Sequence, residues 1–332
     1  MRRLAAIVVA CTGLLTGCWT QVGFGPERTS FNFLESTITS ANVASLTRSW
    51  TVNVGPDATS PVVLGGSVFT TSTGKATALD ATSGTVRWQT IADNIFGSPP
   101  PIGAPTFDGH RLLATFGDGD AGGIYSYDVN TGEATESAGV HHTDYGSIAS
   151  DLRGTNAFHT IDFAPPSGPF LHSLSYGTRR GLIEVTYDGF NPATDPAIVG
   201  EHVVIGLGGS VLSFALHDCV PEPEPLQNFC APEWTAPIGG TVTTPVGLNG
   251  ARIAVGDADG NVTMINATDG AVEWKGHTGT TDATAPAYAH DTLYLGAGNG
   301  RLYAFDADGC GAAVCSPLWS GGAGSRVSHQ PA

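Results

Sequence analysis

Hydrophobic and polar positions fall into two regimes along the chain. Leu4 to Leu15 is a run without charge, preceded by Arg2 and Arg3. Beyond it, short runs rich in Val, Thr, Ala and Leu are broken every few residues by turns containing Gly. Residues 60–88 set the plan: Ser60-Pro61-Val62-Val63-Leu64, a Gly65-Gly66 turn, Ser67 to Ser72, a turn at Gly74, Lys75 to Asp80, Gly84 and then Trp88. Residues 244–274 repeat it. Strands are expected at Arg252–Val255 and Asn261–Asn266, with turns at Asn249-Gly250, Asp259-Gly260 and Asp269-Gly270 before Trp274. Residues 285–319 repeat it again, with Leu293–Gly296, Asn299-Gly300, Arg301–Asp306, Asp308-Gly309 and Trp319. Asx-Gly pairs favour tight hairpins because both residues accept positive φ.

Each repeat therefore reads as four short strands. The positions equivalent to the closing Trp are Trp50, Trp88, Glu136, a weak one near Tyr187, Trp234, Trp274 and Trp319. Their period of about 40–50 residues, four strands at a time, is the signature of a β-propeller. The weak repeat, roughly 141–188, still offers strand-like runs at Phe158–Phe163, Phe170–Tyr176 and Leu182–Tyr187. The expected fold class is all-β, a propeller of four-stranded blades with six recognisable blades and an incomplete seventh. Ser49–Gly55 reads as an outer strand with nothing before it, and Ser325–Ala332 as the start of another inner strand.

The N-terminal run is too short for a membrane-spanning helix, which needs about 20 apolar residues. A basic start, a short apolar stretch and the ending Leu15-Thr16-Gly17-Cys18 make a secretory signal peptide. This ending resembles the lipobox of bacterial lipoproteins, which implies cleavage before Cys18 and lipid on its sulfur. The expected organisation is a signal peptide at 1–17, a lipidated linker at 18–30 and the propeller at 31–332. The protein would then be exported and lipid-anchored, facing the periplasm or the cell exterior.

Net charge is −16 over the whole chain, with Lys only at 75 and 275. Nucleic-acid binding needs a basic footprint, which this composition excludes. With 45 Gly and 21 Pro among 332 residues, the chain suits many short strands joined by tight turns.

Ala78-Leu79-Asp80-Ala81-Thr82-Ser83-Gly84 followed by Trp88 resembles the signature of PQQ-type propeller repeats, named after pyrroloquinoline quinone. Asn32, Glu35 to Val43, Leu46 and Trp50 resemble the lead-in of secreted bacterial members. The likeness covers about residues 30–332. On this template Trp50, Trp88, Trp234, Trp274 and Trp319 fill the wedge between blades, each burying about 150–250 Å². Asp80 and Asp306 would cap the turns that follow them. The cysteines fit the same template. Cys219 with Cys230, and Cys310 with Cys315, occupy third-to-fourth strand turns, where facing residues lie close enough for a disulfide. Cross-pairing between repeats is the alternative.

The resemblance also brings in quinone-dependent alcohol and glucose dehydrogenases, which hold PQQ with adjacent cysteines, a stacking Trp, a cation and a calcium ion. This sequence has no Cys-Cys pair and no Cys-x-x-Cys-His haem motif, so neither PQQ nor another cofactor is expected. Catalytic signatures such as Gly-x-Ser-x-Gly and His-Glu-x-x-His are missing too. Asp257-x-Asp259-Gly260-Asn261 resembles the start of an EF-hand loop but lacks its later Gly and Glu. His141, His142 and Asp144 form a weak metal-binding candidate without a visible third or fourth ligand set.

The reading that results is a non-catalytic scaffold binding an envelope protein partner. It is similar at family level to the propeller lipoprotein of the outer-membrane β-barrel assembly machine. The alternative is a quinone-dependent oxidoreductase or small-ligand binder using the propeller channel.

Overall fold

In the computed structural model, consecutive short strands pair antiparallel because Gly and Asx turns reverse the chain every few residues. The structure describes residues 18–91, 103–117, 122–140, 147–152, 156–161, 170–175, 182–184, 193–216, 232–327 and 329–331. The architecture is an all-β propeller. Its strands fall into six consecutive groups of four, and the described residues include one short 3-10 turn, Val43–Ser45. No helix among the described residues is long and apolar enough to cross a membrane. The chain divides into two compact units, Met1–Phe24 with Asn32–Ala157, and Gly25–Phe31 with Phe158–Ala332.

In the first unit, Val62–Leu64, Ser67–Ser72, Lys75–Asp80 and Val86–Ile91 form one sheet in sequence order. Thr106–Phe107, Leu112–Gly117, Gly122–Tyr127 and Ala134–Val140 form a second. Phe69, Trp88, Leu112, Phe116, Tyr125 and Tyr127 share a core with small residues such as Ala76 and Ala78. Both faces of these sheets are covered, so the middle strands are almost continuously buried rather than alternating. The third group comprises Ala149–Ser150, Asn156–Ile161, Phe170–Ser175 and Leu182–Glu184, and the boundary between the units falls within it. The expected strands of the weak repeat lie here, with the second and third starting at Phe170 and Leu182.

In the second unit, Ala197–Val199, His202–Leu207, Ser210–Ala215 and Trp234–Pro237 form the fourth sheet. Val246–Leu248, Arg252–Gly256, Asn261–Asn266 and Val272–His277 form the fifth. Ala287–Ala289, Thr292–Gly296, Arg301–Asp306 and Trp319–Gly322 form the sixth. Register within the fifth runs Arg252↔Asn266 to Gly256↔Val262, then Asn261↔His277 to Ile265↔Val272 with a bulge after Met264. One strand was not expected: Val314–Cys315 lies parallel to the fifth sheet's outer strand, with Lys275 opposite Val314. The turn carrying Cys310 and Cys315 thus reaches back to the preceding sheet.

Two expectations need correcting. Residues 18–30 are not a free linker, because their backbone is bonded to the first strands of the sheets. Ser49–Gly55 and the C-terminal stretch from Ser325 belong to no sheet among the described residues. Both lack the middle strands with which an outer or inner blade strand would pair. Trp50 is nonetheless seated by its side chain, and Val327 N–H donates to the Ala297 carbonyl at 3.4 Å.

Candidate functional site

Three arrangements recur at residue level: a socket for the repeat Trp, a thread formed by the N-terminal segment, and an exposed end at the sixth sheet.

The socket starts with the Asx residue closing each third strand. Asp80 Oδ1 accepts the N–H groups of Thr82 and Ser83 at 3.0 and 2.9 Å. Asp128 does the same for Asn130 and Thr131, and Asn266 for Thr268. Asp306 Oδ1 accepts Asp308 N–H at 2.9 Å. The Arg87 guanidinium and these turn donors hold the Asp80 carboxyl well below the usual carboxylate range. Asp128 is lowered by its turn amides alone. Bonds to the charged form cause both shifts.

The turn then places a Gly at positive φ, which receives the indole of the preceding repeat. Trp50 reaches Gly84, Trp88 reaches Gly132, Trp234 reaches Gly270 and Trp274 reaches Gly309. A Cβ at any of the four would lie 2.5–2.8 Å from ring carbon. Each indole N–H donates to a carbonyl of the same turn: Ala81, Val129, Ala267 and Ala307, at 3.0–3.2 Å. Trp319 differs. It is 48% exposed, against 9% for Trp88 and 4% for Trp274.

The thread was missed by sequence reasoning. In the first unit, Trp19 and Val63 exchange two backbone hydrogen bonds of 2.8 Å. Phe107 N–H donates to Thr20 O at 2.8 Å, and Gln21 pairs through its side-chain amide with both backbone groups of Ser150. In the second unit, Pro26, Glu27 and Thr29 carbonyls accept from Ile198, Gly247 and Tyr288, each at 2.8 Å. Residues 19–29 thus touch the first strand of every one of the six groups, each unit by its own part of the segment. Phe24, Arg28 and Ser30 take positive φ without being Gly. Such strain persists only where surroundings over-determine it. A usable signal was present in Trp19 and Phe24, aromatics in a stretch read as a linker.

Two charges accompany the thread. Arg28 is 2% exposed, donates from Nε to Pro196 O and faces Asp195 at 3.8 Å. Glu27 Oε1 accepts Gly250 N–H at 2.5 Å. Burial pushes its carboxyl above the ordinary value, against the opposing bonds from Gly250 and Asn249.

Cys310 and Cys315 form a disulfide with Cα atoms 5.6 Å apart. Cys219 and Cys230 lie outside the described residues, as do His141, His142 and Asp144. Among the described residues no cluster of His, Cys, Asp or Glu could hold a metal. The EF-hand-like stretch is a closed turn, in which Asp257 accepts the Asn261 backbone N–H and its side-chain amide. Cys18 is buried and its sulfur is in a disulfide, with a partner outside the described residues. That corrects the expectation of a free lipid acceptor, since one sulfur cannot hold both a disulfide and a thioether. The donor set does not suit PQQ: the described cysteines are in disulfides, and four of the repeat indoles are committed to sockets.

The crystal structure of BamB from Moraxella catarrhalis is similar at 16% identity, covering 80% of this chain and 76% of that one, with a TM-score of 0.53. The structure of Sqt1 from Saccharomyces cerevisiae is similar at 14% identity, covering 77% and 70%, with a TM-score of 0.57. At those identities the likeness is one of fold. No curated protein matches this chain significantly. A family profile described as outer membrane protein assembly factor BamB matches residues 35–157 and 231–313, more than half of the sequence. Those stretches carry the sockets at Gly84, Gly132, Gly270 and Gly309, and the chain belongs to that family.

Proposed function

We propose that this protein is an exported, non-catalytic interaction scaffold of the cell envelope that works without PQQ and is held to a membrane by lipid on Cys18. The observation that carries the scaffold reading is the thread. First-strand groups that a channel ligand would use in a propeller are hydrogen-bonded to the chain's own residues 19–29. Family membership supports protein binding as the role. The basic start, uncharged run and Leu-Thr-Gly-Cys ending support the anchor. The anchor requires the Cys18 thiol to be free when lipid is added, so disulfide and lipid are alternative fates of that sulfur.

Two measurements test the reading. Mass spectrometry of the mature N-terminus should find Cys18 first and lipid-modified. An unmodified Cys18 in a disulfide would remove the anchor and leave the scaffold. Titration of the purified protein with PQQ and Ca²⁺ should give no saturable signal at micromolar concentrations. Dye-linked alcohol or sugar oxidation after such reconstitution would overturn the non-catalytic assignment.

A further inference from the structure

The sockets define what the exposed end of the sixth sheet lacks. Four repeat tryptophans are each received by the following repeat, through a Gly at φ between +72 and +79° and a carbonyl for the indole N–H. Trp319 stands at the same place in the sixth sheet, opposite Ala304, as Trp274 stands opposite Met264 in the fifth. Its ring meets Tyr294 of its own sheet with centroids 6.1 Å apart. Among the described residues its N–H has no acceptor, and no Gly turn receives it. Leu318 beside it is 60% exposed and Val314 69%. An indole with one face covered and its donor unspent suits an interface anchor, because aromatic residues with a polar handle are enriched at interfaces.

We propose that Trp319, with Leu318 and Val314, is the docking face for a β-hairpin of another polypeptide. That hairpin carries an Asx residue followed four positions later by a Gly at positive φ. This deepens the scaffold reading and rests on it. The occupant's chemistry is copied from the chain's own pairs: a Gly without Cβ to admit the ring, and a turn carbonyl to accept Nε1. A second copy of this chain is a poor fit, because Gly84, Gly132, Gly270 and Gly309 are each filled by the chain's own indole. Binding by strand and turn addition at an open sheet end is a general mode of peptide recognition.

The test places benzoylphenylalanine at position 318 of the full chain in its native host and irradiates intact cells. The expected adduct is a peptide of another protein containing Asp or Asn with Gly four residues on. Replacing that Gly by Val, or making Trp319→Ala here, should lower the yield about thirtyfold or more, the size of an interface anchor. Trp319→Ala should leave thermal stability nearly unchanged, whereas Trp274→Ala should lower it clearly. Adducts only to lipid, to this chain or to a second copy, adducts to a peptide without the turn, or no adduct at all, would each overturn the docking face. The same probe at exposed Phe33 separates the two readings. Protein adducts there but not at 318 leave the scaffold standing without this face, and none at any surface position removes both.

Discussion

At the scale of single residues, the Trp–Gly socket sets what the sequence can tolerate. Gly270 sits at φ +72° with the Trp234 ring where a Cβ would go, 2.6 Å away. Gly279 has φ +79° and open space around it. The pair separates two costs. Gly279→Ala should lose only the backbone term, about 1–2 kcal/mol. Gly270→Ala should lose that and about 1–3 kcal/mol more from overpacking. Urea unfolding with an unchanged m-value reads the difference, and equal losses would show that the indole yields freely. The buried carboxyl of Glu27 adds a pH signature. Its value is raised in the folded state, so the stabilisation that goes with protonation is present below the ordinary value of 4.5 and is lost as pH rises through the folded one. Glu27→Gln should therefore gain on the wild type between pH 4 and 7, measured by urea unfolding at several pH values. A pH-independent difference would count against the burial argument. Asp80 and Asp128 work in the opposite direction, supporting the fold above the ordinary carboxylate range and losing that support in acid.

Strands and turns are the scale at which the sequence was most legible. Asn261–Asn266 and Arg301–Asp306 have the bounds that their Asx-Gly flanks predict, because such turns fix where pairing must stop. What escaped was any contact made without a local pattern. The parallel pairing of Val314–Cys315 with Lys275 and Gly276 comes from a loop folding back on the preceding sheet, and no periodicity announces that. The thread escaped for the same reason, since its partners lie between about 40 and 260 residues away along the chain. Trp88 and Trp319 look equivalent in sequence, yet burial separates them, because a socket is supplied by residues outside the repeat that holds the Trp. The back-folded loop carries its own prediction. Cys310–Cys315 closes a small ring, so replacing both by Ser should cost about 2 kcal/mol on the chain-entropy account. Lys275 N–H donates to Ala313 O at 2.9 Å. Its hydrogen exchange should speed up in the double variant, while Ile265 in the sheet interior stays protected. Uniform acceleration of both amides would mean that the disulfide holds the whole sheet rather than the loop.

For the whole molecule, the thread converts an N-terminal tail into part of the fold. Six backbone hydrogen bonds join residues 19–29 to first strands, three within each unit. At about 0.5–1.5 kcal/mol net apiece they contribute roughly 3–9 kcal/mol, a large share of the 5–15 kcal/mol typical of folded proteins. A tether outside the fold would contribute nothing. Trypsin distinguishes the two, because the segment from Cys18 to Arg48 holds only two basic residues. Arg28 is buried under the Pro196 carbonyl, whereas Arg48 is exposed beyond the open stretch containing Phe33, Ile38 and Leu46. Brief digestion of the native protein should cut after Arg48 and spare Arg28. The fragment ending at Arg48 should then co-elute with the remainder in gel filtration and separate only in concentrated urea. In membranes carrying the lipidated protein, the same cut should release neither piece, since the anchored fragment still holds the sheets. Prompt cleavage after Arg28, or loss of the fragment under native conditions, would show that residues 19–29 are a tether after all. The first strands would then be open to a ligand, and the reading of this protein as a scaffold would lose its main support.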